Sequence, residues 1–135
     1  MSKMIYLDTN VWLDYVLGST GVYPLDEFAR RILERSIDCE FIICVSDLLE
    51  FELKKYSEGY KELFLPLENC NKLRKVFVNS RDKKQAKNIQ VHFPDNIHVY
   101  LAKKYGCDYF VTNDKEILSL NIDLEIVSSQ FFQFK

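Results

Sequence analysis

Apolar residues 4–7 (MIYL) run directly into the polar triplet Asp8-Thr9-Asn10. That is the pattern of a short buried strand ending at an acid. From Asn10 to Leu17 the spacing turns helical, and Gly18-Ser19-Thr20-Gly21 breaks it. Leu25, Phe28, Ala29, Ile32 and Leu33 recur at helical spacing and predict an amphipathic helix. The continuous apolar run Phe41 to Val45 (FIICV) predicts a strand covered on both faces. A helix follows over about Asp47 to Tyr56, and residues 60–90 read as mostly helical with a weaker pattern. Pro94 precedes a further helix, roughly Asp95 to Tyr105, which Gly106 stops. Tyr109 to Thr112 and Leu124 to Val127 complete a set of four predicted strands.

Strands alternating with helices imply a parallel sheet between helical layers, an α/β fold. No repeat, low-complexity tract or interdomain linker interrupts the 135 residues, so residues 1–135 read as one domain. In open parallel sheets, ligands bind beyond the carboxyl ends of the strands. Asp8 and Asp114 both stand at such ends. Each also has a plainer reading as the N-cap of a following helix. Asp95 opens the helix whose apolar stripe is Ile97, Leu101, Ala102 and Tyr105, and the same two readings apply to it.

Glu52 carries more information. On the helix over residues 47–56, positions 48, 49, 52, 53 and 56 form one stripe, and four of them are Leu48, Leu49, Leu53 and Tyr56. Glu52 interrupts that apolar face. An unpaired buried carboxylate burdens a fold, so it is neutralised, paired with a cation, or bound to a metal. A buried salt bridge is the structural alternative. Glu50 points about 200° away, with Lys54 at i+4, and reads as half of a surface ion pair.

Several carboxylates in one crevice repel one another until a cation joins them, and hard oxygen ligands favour Mg²⁺ or Mn²⁺. Such an ion activates water and steadies an in-line displacement at phosphorus. No GxxxxGK[ST] or GxGxxG motif is present to cradle a nucleotide.

Composition adds three points. Apolar residues at 47% and charged residues at 28% are those of an ordinary globular chain, and no apolar run approaches the ~20 residues that span a bilayer. With no secretory pattern at the N-terminus, a cytoplasmic location is expected. Cys39, Cys44, Cys70 and Cys107 form no CxxC pair, and Cys44 and Cys107 read as small core residues. The net charge of −2 hides an asymmetry: residues 71–104 hold nine Lys/Arg and two acids, +7, against nine and eighteen elsewhere, −9. That basic segment is either a solvated helix surface or a phosphate-binding face, with Lys83, Lys84, Lys87 and His98 as candidate contacts. For His98 a structural role is the stronger reading.

The stretches IYLDTNVWLDYV, VSDLLEFEL and FPDNIHVYLAKKYGCDYFVTNDKEIL, in this order, resemble the PIN-domain nucleases, above all the toxins of VapBC toxin–antitoxin modules. The likeness runs from about residue 4 to 127. It implies a three-layer α/β/α sandwich around a mostly parallel sheet, divalent-metal-dependent cleavage of RNA, and a homodimer. The family's four carboxylates fall on Asp8, Glu52, Asp95 and Asp114, as catalytic residues and as ligands of Mg²⁺ or Mn²⁺. Thr9, Asn10, Thr112 and Asn113 match positions that often flank the metal site. A cognate antitoxin is the partner implied by the toxin reading. The alternatives are a housekeeping PIN nuclease that matures RNA, and a catalytically idle PIN module that binds RNA or protein. A strand-end aspartate also opens the haloacid-dehalogenase-like phosphatases, but those need a second acid two residues on, where Asn10 stands.

Overall fold

The computed structural model describes residues 3–18, 23–38 and 40–134. Its elements run β1 (Lys3–Leu7), α1 (Thr9–Leu17), α2 (Leu25–Ile37), β2 (Phe41–Ser46), α3 (Asp47–Lys54), α4 (Tyr60–Asn69), β3 (Leu73–Val76), α5 (Ser80–Ala86), α6 (Asp95–Lys104), β4 (Tyr109–Val111), α7 (Lys115–Leu118) and β5 (Ile126–Val127), with a closing 3-10 turn at Ser129–Phe134. The strands form one sheet in the order β3-β2-β1-β4-β5, and every pair in it is parallel.

Alternation along the strands builds the layers. Ile5, Leu7, Ile43, Val45 and Val111 point to one face, where they pack with Val11 and Trp12 of α1, Ile32 of α2, Leu49 and Leu53 of α3 and Phe64 of α4. Tyr6, Cys44 and Phe110 point to the other, against Ala86 of α5, Ile97, Leu101 and Ala102 of α6 and Ile117 of α7. The result is the three-layer α/β/α sandwich. Among the described residues no helix is long and apolar enough to cross a membrane.

Several boundaries differ from the sequence reading. The strand β3 lies inside the segment expected to be mostly helical. Its sequence LRKV exposes Arg74 and Lys75, because β3 is an edge strand with only β2 beside it. Such a strand lacks the apolar run that marks a central one. The helix α3 stops at Lys54, and Tyr56, assigned to its buried stripe, is 61% exposed. Glu50 approaches Lys75 of β3 at 3.9 Å instead of Lys54. The last strand holds only Ile126 and Val127, both paired with the short β4. Gly18 ends α1 in the left-handed region at φ 63°, where glycine is favoured. The rest of that expected break, Ser19 to Gly21, lies outside the described residues, as does Cys39.

Candidate functional site

Because all five strands point the same way, the segments that follow β1, β2 and β4 emerge along one edge of the sheet. Asp8 follows β1 immediately. It is 3% exposed and caps α1. Its Oδ1 accepts from Thr9 N at 2.8 Å, and its Oδ2 accepts from Asn10 Nδ2 at 3.1 Å and from Thr112 Oγ1 at 2.9 Å. Thr112 also accepts from Asn10 Nδ2 and from Asp114 N, so one hydroxyl beyond β4 ties both aspartate-bearing turns together. Asn113 crosses to α1 through Asp14 at 3.0 Å, while its Oδ1 accepts from Ser129 N and Oγ. Asp114 caps α7 through Glu116 N. The capping reading therefore holds for Asp8 and Asp114. It does not hold for Asp95, which is the first residue of α6, behind Pro94, and caps nothing with its side chain.

Glu52 projects from α3 with its side chain 18% exposed. It is not unpaired. Its Oε1 accepts from Thr9 Oγ1 at 2.5 Å and from His98 Nε2 at 2.6 Å. Burial works to raise the pKa of Glu52, but the hydrogen bonds from His98 and Thr9 bring it below the usual carboxylate value. The expectation that its charge burdens the metal-free fold is thus corrected: His98 and Thr9 compensate it by donating hydrogen bonds.

His98 itself is corrected as an RNA contact. It is wholly buried, and both ring nitrogens are engaged. The sequence contained the signal. Position 98 lies on the same helical face as Leu101 and Ala102, three and four residues on, so an imidazole interrupts an apolar stripe just as Glu52 does. A second residue, His92, escaped the sequence reading. It lies at the rim, 3.1 Å from Asp95 and 3.3 Å from Glu116, and these two acids raise its pKa.

The four carboxylates feel one another. Burial pushes Asp8 up, and the charge of Glu52 adds to this. Burial, and then the charge of Asp8, push Asp95 to about 6, with a further contribution from Asp114. Among the described residues, however, no three His, Cys, Asp or Glu side chains are close enough to hold a metal ion as they stand. Each acid has turned to its own donors instead: Asp8 to Thr9, Asn10 and Thr112, Glu52 to Thr9 and His98, Asp95 to His92, Asp114 to Glu116. Mutual repulsion between ionised oxygens favours that spread arrangement. An all-oxygen set with more negative charge than its donors balance is nevertheless the chemistry that a hard divalent cation fits.

The family model described as PIN domain matches residues 5–122. The chain belongs to the PIN domain family. Its PIN fold superposes with a TM-score of 0.61 on a chain in the crystal structure of VapBC2 from Rickettsia felis bound to a DNA fragment from their promoter, covering 93% of this chain and 98% of that one. Identity between the two is 14%, so the likeness is one of fold. No curated protein matches the chain. PIN domains are generally nucleases and generally use divalent metals.

In this PIN domain the raised pKa of Asp95 has a measurable consequence. A carboxyl raised from 3.8 to about 6 by folding contributes its full stability below the unfolded value and loses it as pH rises toward 6. At pH 7.5 the ionised group costs stability. With metal removed by EDTA, Asp95→Asn should therefore melt above wild type at pH 7.5, by on the order of 1–3 kcal/mol before the lost contact with His92 is subtracted. The two melting curves should converge as pH falls below 4. A constant gap from pH 4 to 7.5 would show that the charge of Asp95 is not what strains the site.

Proposed function

We propose that this PIN domain is a divalent-metal-dependent endoribonuclease and the toxin of a toxin–antitoxin pair. The observation that carries this reading is that Asp8, Glu52, Asp95 and Asp114, from four separate elements at the carboxyl edge of the sheet, lie near enough to influence one another's ionisation. These four would hold Mg²⁺ or Mn²⁺. The ion, when bound, would activate water and offset charge at the phosphorus. The chain's own part is to keep the ligands aimed. Thr9, Asn10 and Thr112 fix Asp8, and Asn113 ties α1 to the C-terminal turn.

Substrate binding is assigned to α5. Lys83, Lys84 and Lys87 are exposed and make no ion pair with any described residue. Other cations of the basic segment are engaged: Lys104 with buried Asp82, and Lys75 with Glu50 and Glu68. The end of α5 lies against the start of α6, where Asn96 Nδ2 donates to Ala86 O at 3.2 Å. An antitoxin partner is supported by the shared fold with VapBC2, whose structure is that of a promoter-bound complex. A homodimer in the cytoplasm is part of the same reading.

The test is to incubate purified protein with total RNA in Mn²⁺, Mg²⁺ or EDTA and map the new ends. Discrete cuts are expected with metal and none with EDTA. Lys83→Glu combined with Lys84→Glu should weaken RNA binding most at low salt and flatten its salt dependence, because single-strand phosphate contacts each contribute about 0.7 to the slope. Metal-independent cutting, or cutting of DNA alone, would sink the proposal. An unchanged salt slope would make α5 a merely solvated surface.

A further inference from the structure

Glu52 and His98 belong to a circuit of hydrogen bonds that starts and ends on α3. It begins at Ser46, the N-cap of α3, whose Oγ accepts from Leu49 N at 3.0 Å. The Ser46 hydroxyl lies 2.8 Å from Tyr6 Oη on β1. Tyr6 Oη lies 2.5 Å from His98 Nδ1 on α6. His98 Nε2 lies 2.6 Å from Glu52 Oε1, back on α3 and six residues beyond the start. Ser46, Tyr6 and His98 are all completely buried.

The chemistry gives this circuit a direction. An ionised carboxylate can only accept, so Nε2 of His98 carries the hydrogen and donates to Glu52. In that tautomer Nδ1 accepts, which the Tyr6 O–H satisfies, and Tyr6 oxygen in turn takes the Ser46 O–H. Every donor then has an acceptor and none opposes another. At the far end, Oε1 of Glu52 receives two donors, His98 and Thr9, whereas Oε2 has no hydrogen-bond partner among the described residues.

We propose that His98, locked from behind by Tyr6, is a positioning residue that pins one oxygen of Glu52 so that the other is presented to a divalent cation. The inference rests on the metal-site reading above. It explains why an imidazole occupies an otherwise apolar stripe of α6, and why β1 carries a tyrosine between Ile5 and Leu7. A glutamate on its own would have to be immobilised when the ion arrives. Here the protein has immobilised it beforehand, and outer partners of this kind are worth about 10–100-fold in metal affinity.

The test measures Mn²⁺ binding to the RNA-free chain, following free Mn²⁺ by electron paramagnetic resonance, with circular dichroism to confirm folding. His98→Leu should raise the Mn²⁺ Kd by about 10–100-fold. His98→Gln should recover most of that loss, because its amide nitrogen can donate to the same oxygen. Tyr6→Phe keeps the ring and removes only the lock, so it should fold and show a smaller loss in the same direction. It carries the test alone if His98→Leu does not fold. A lowered melting temperature with an unchanged Kd in Tyr6→Phe and His98→Leu would make the circuit purely structural and overturn the proposal. So would a His98→Gln protein as weak as His98→Leu. Wild type that binds no Mn²⁺ at millimolar concentration overturns this inference and the metal-site reading together. Wild type that binds Mn²⁺, with the variants in the order above, but cuts no RNA supports the inference and sinks the ribonuclease reading.

Discussion

Asp8→Asn should lower RNA cleavage by about two to three orders of magnitude and leave the protein folded. Loss of a ligand charge removes several kcal/mol of stabilisation from the charge that develops at phosphorus, and each ~1.4 kcal/mol is a factor of ten. The fold should survive because asparagine caps a helix about as well as aspartate. Asp8 is raised by burial and by Glu52, so its ionised form costs stability once the pH exceeds its folded pKa. Relieving that cost should bring the metal-free variant to the melting temperature of wild type or above it near neutral pH. Added Mg²⁺ should then raise the melting temperature of wild type far more than that of the variant. Initial rates on a defined RNA, with melting curves in EDTA and in Mg²⁺, check both parts. A variant that keeps more than a tenth of the wild-type rate would remove Asp8 from the chemistry.

Glu52→Gln should be as inactive as Asp8→Asn but opposite in its effect on stability. The structure places Glu52 under two donors, and a charged hydrogen bond contributes about 1.5–3 kcal/mol. Its removal should destabilise the metal-free protein by about that amount. The folded pKa of Glu52 lies below its ordinary value of 4.5. Its contribution is therefore present above 4.5 and is lost as pH falls through the folded value, so variant and wild type should converge in acid. Glu50→Gln is the control. Glu50 has only a long contact to Lys75, itself 47% exposed, and should change stability by a few tenths of a kcal/mol and leave cleavage near wild type. Two carboxylates two residues apart thus separate cleanly in one pair of melting and cleavage measurements. An inactive Glu50→Gln protein, or a Glu52→Gln protein that is active, would reverse the assignment.

What the sequence revealed, and what it hid, follows from the range of the forces involved. The strands β1, β2 and β4 were legible because they lie in the middle of the sheet and bury both faces, which writes a continuous apolar run. The strand β3 was not, because an edge strand with Arg74 and Lys75 in solvent looks like the helices around it. Glu52 stood out as an acid on an apolar stripe. Its partner did not, because Glu52 and His98 are 46 residues apart and only the packing of α6 over the sheet makes them meet. The same stripe argument applied to position 98 would have removed His98 from the surface, though it could not have named Glu52 or Tyr6. Charge marked the segment and could not show its pairings: Lys75 and Lys104 are committed to Glu50, Glu68 and Asp82, contacts made only by the fold.

The central strand, β1, precedes the other four in the chain, and one of its two neighbours, β4, lies more than a hundred residues downstream. Asp8 waits for Thr112, 104 positions away, and Asp95 and Asp114 lie equally late in the chain. Contacts of such separation are slow to form and come after local structure. Asp8 and Glu52 precede the other half of the carboxylate set, Asp95 and Asp114, in the chain. The carboxylate set is therefore completed only when the later half of the fold closes against β1.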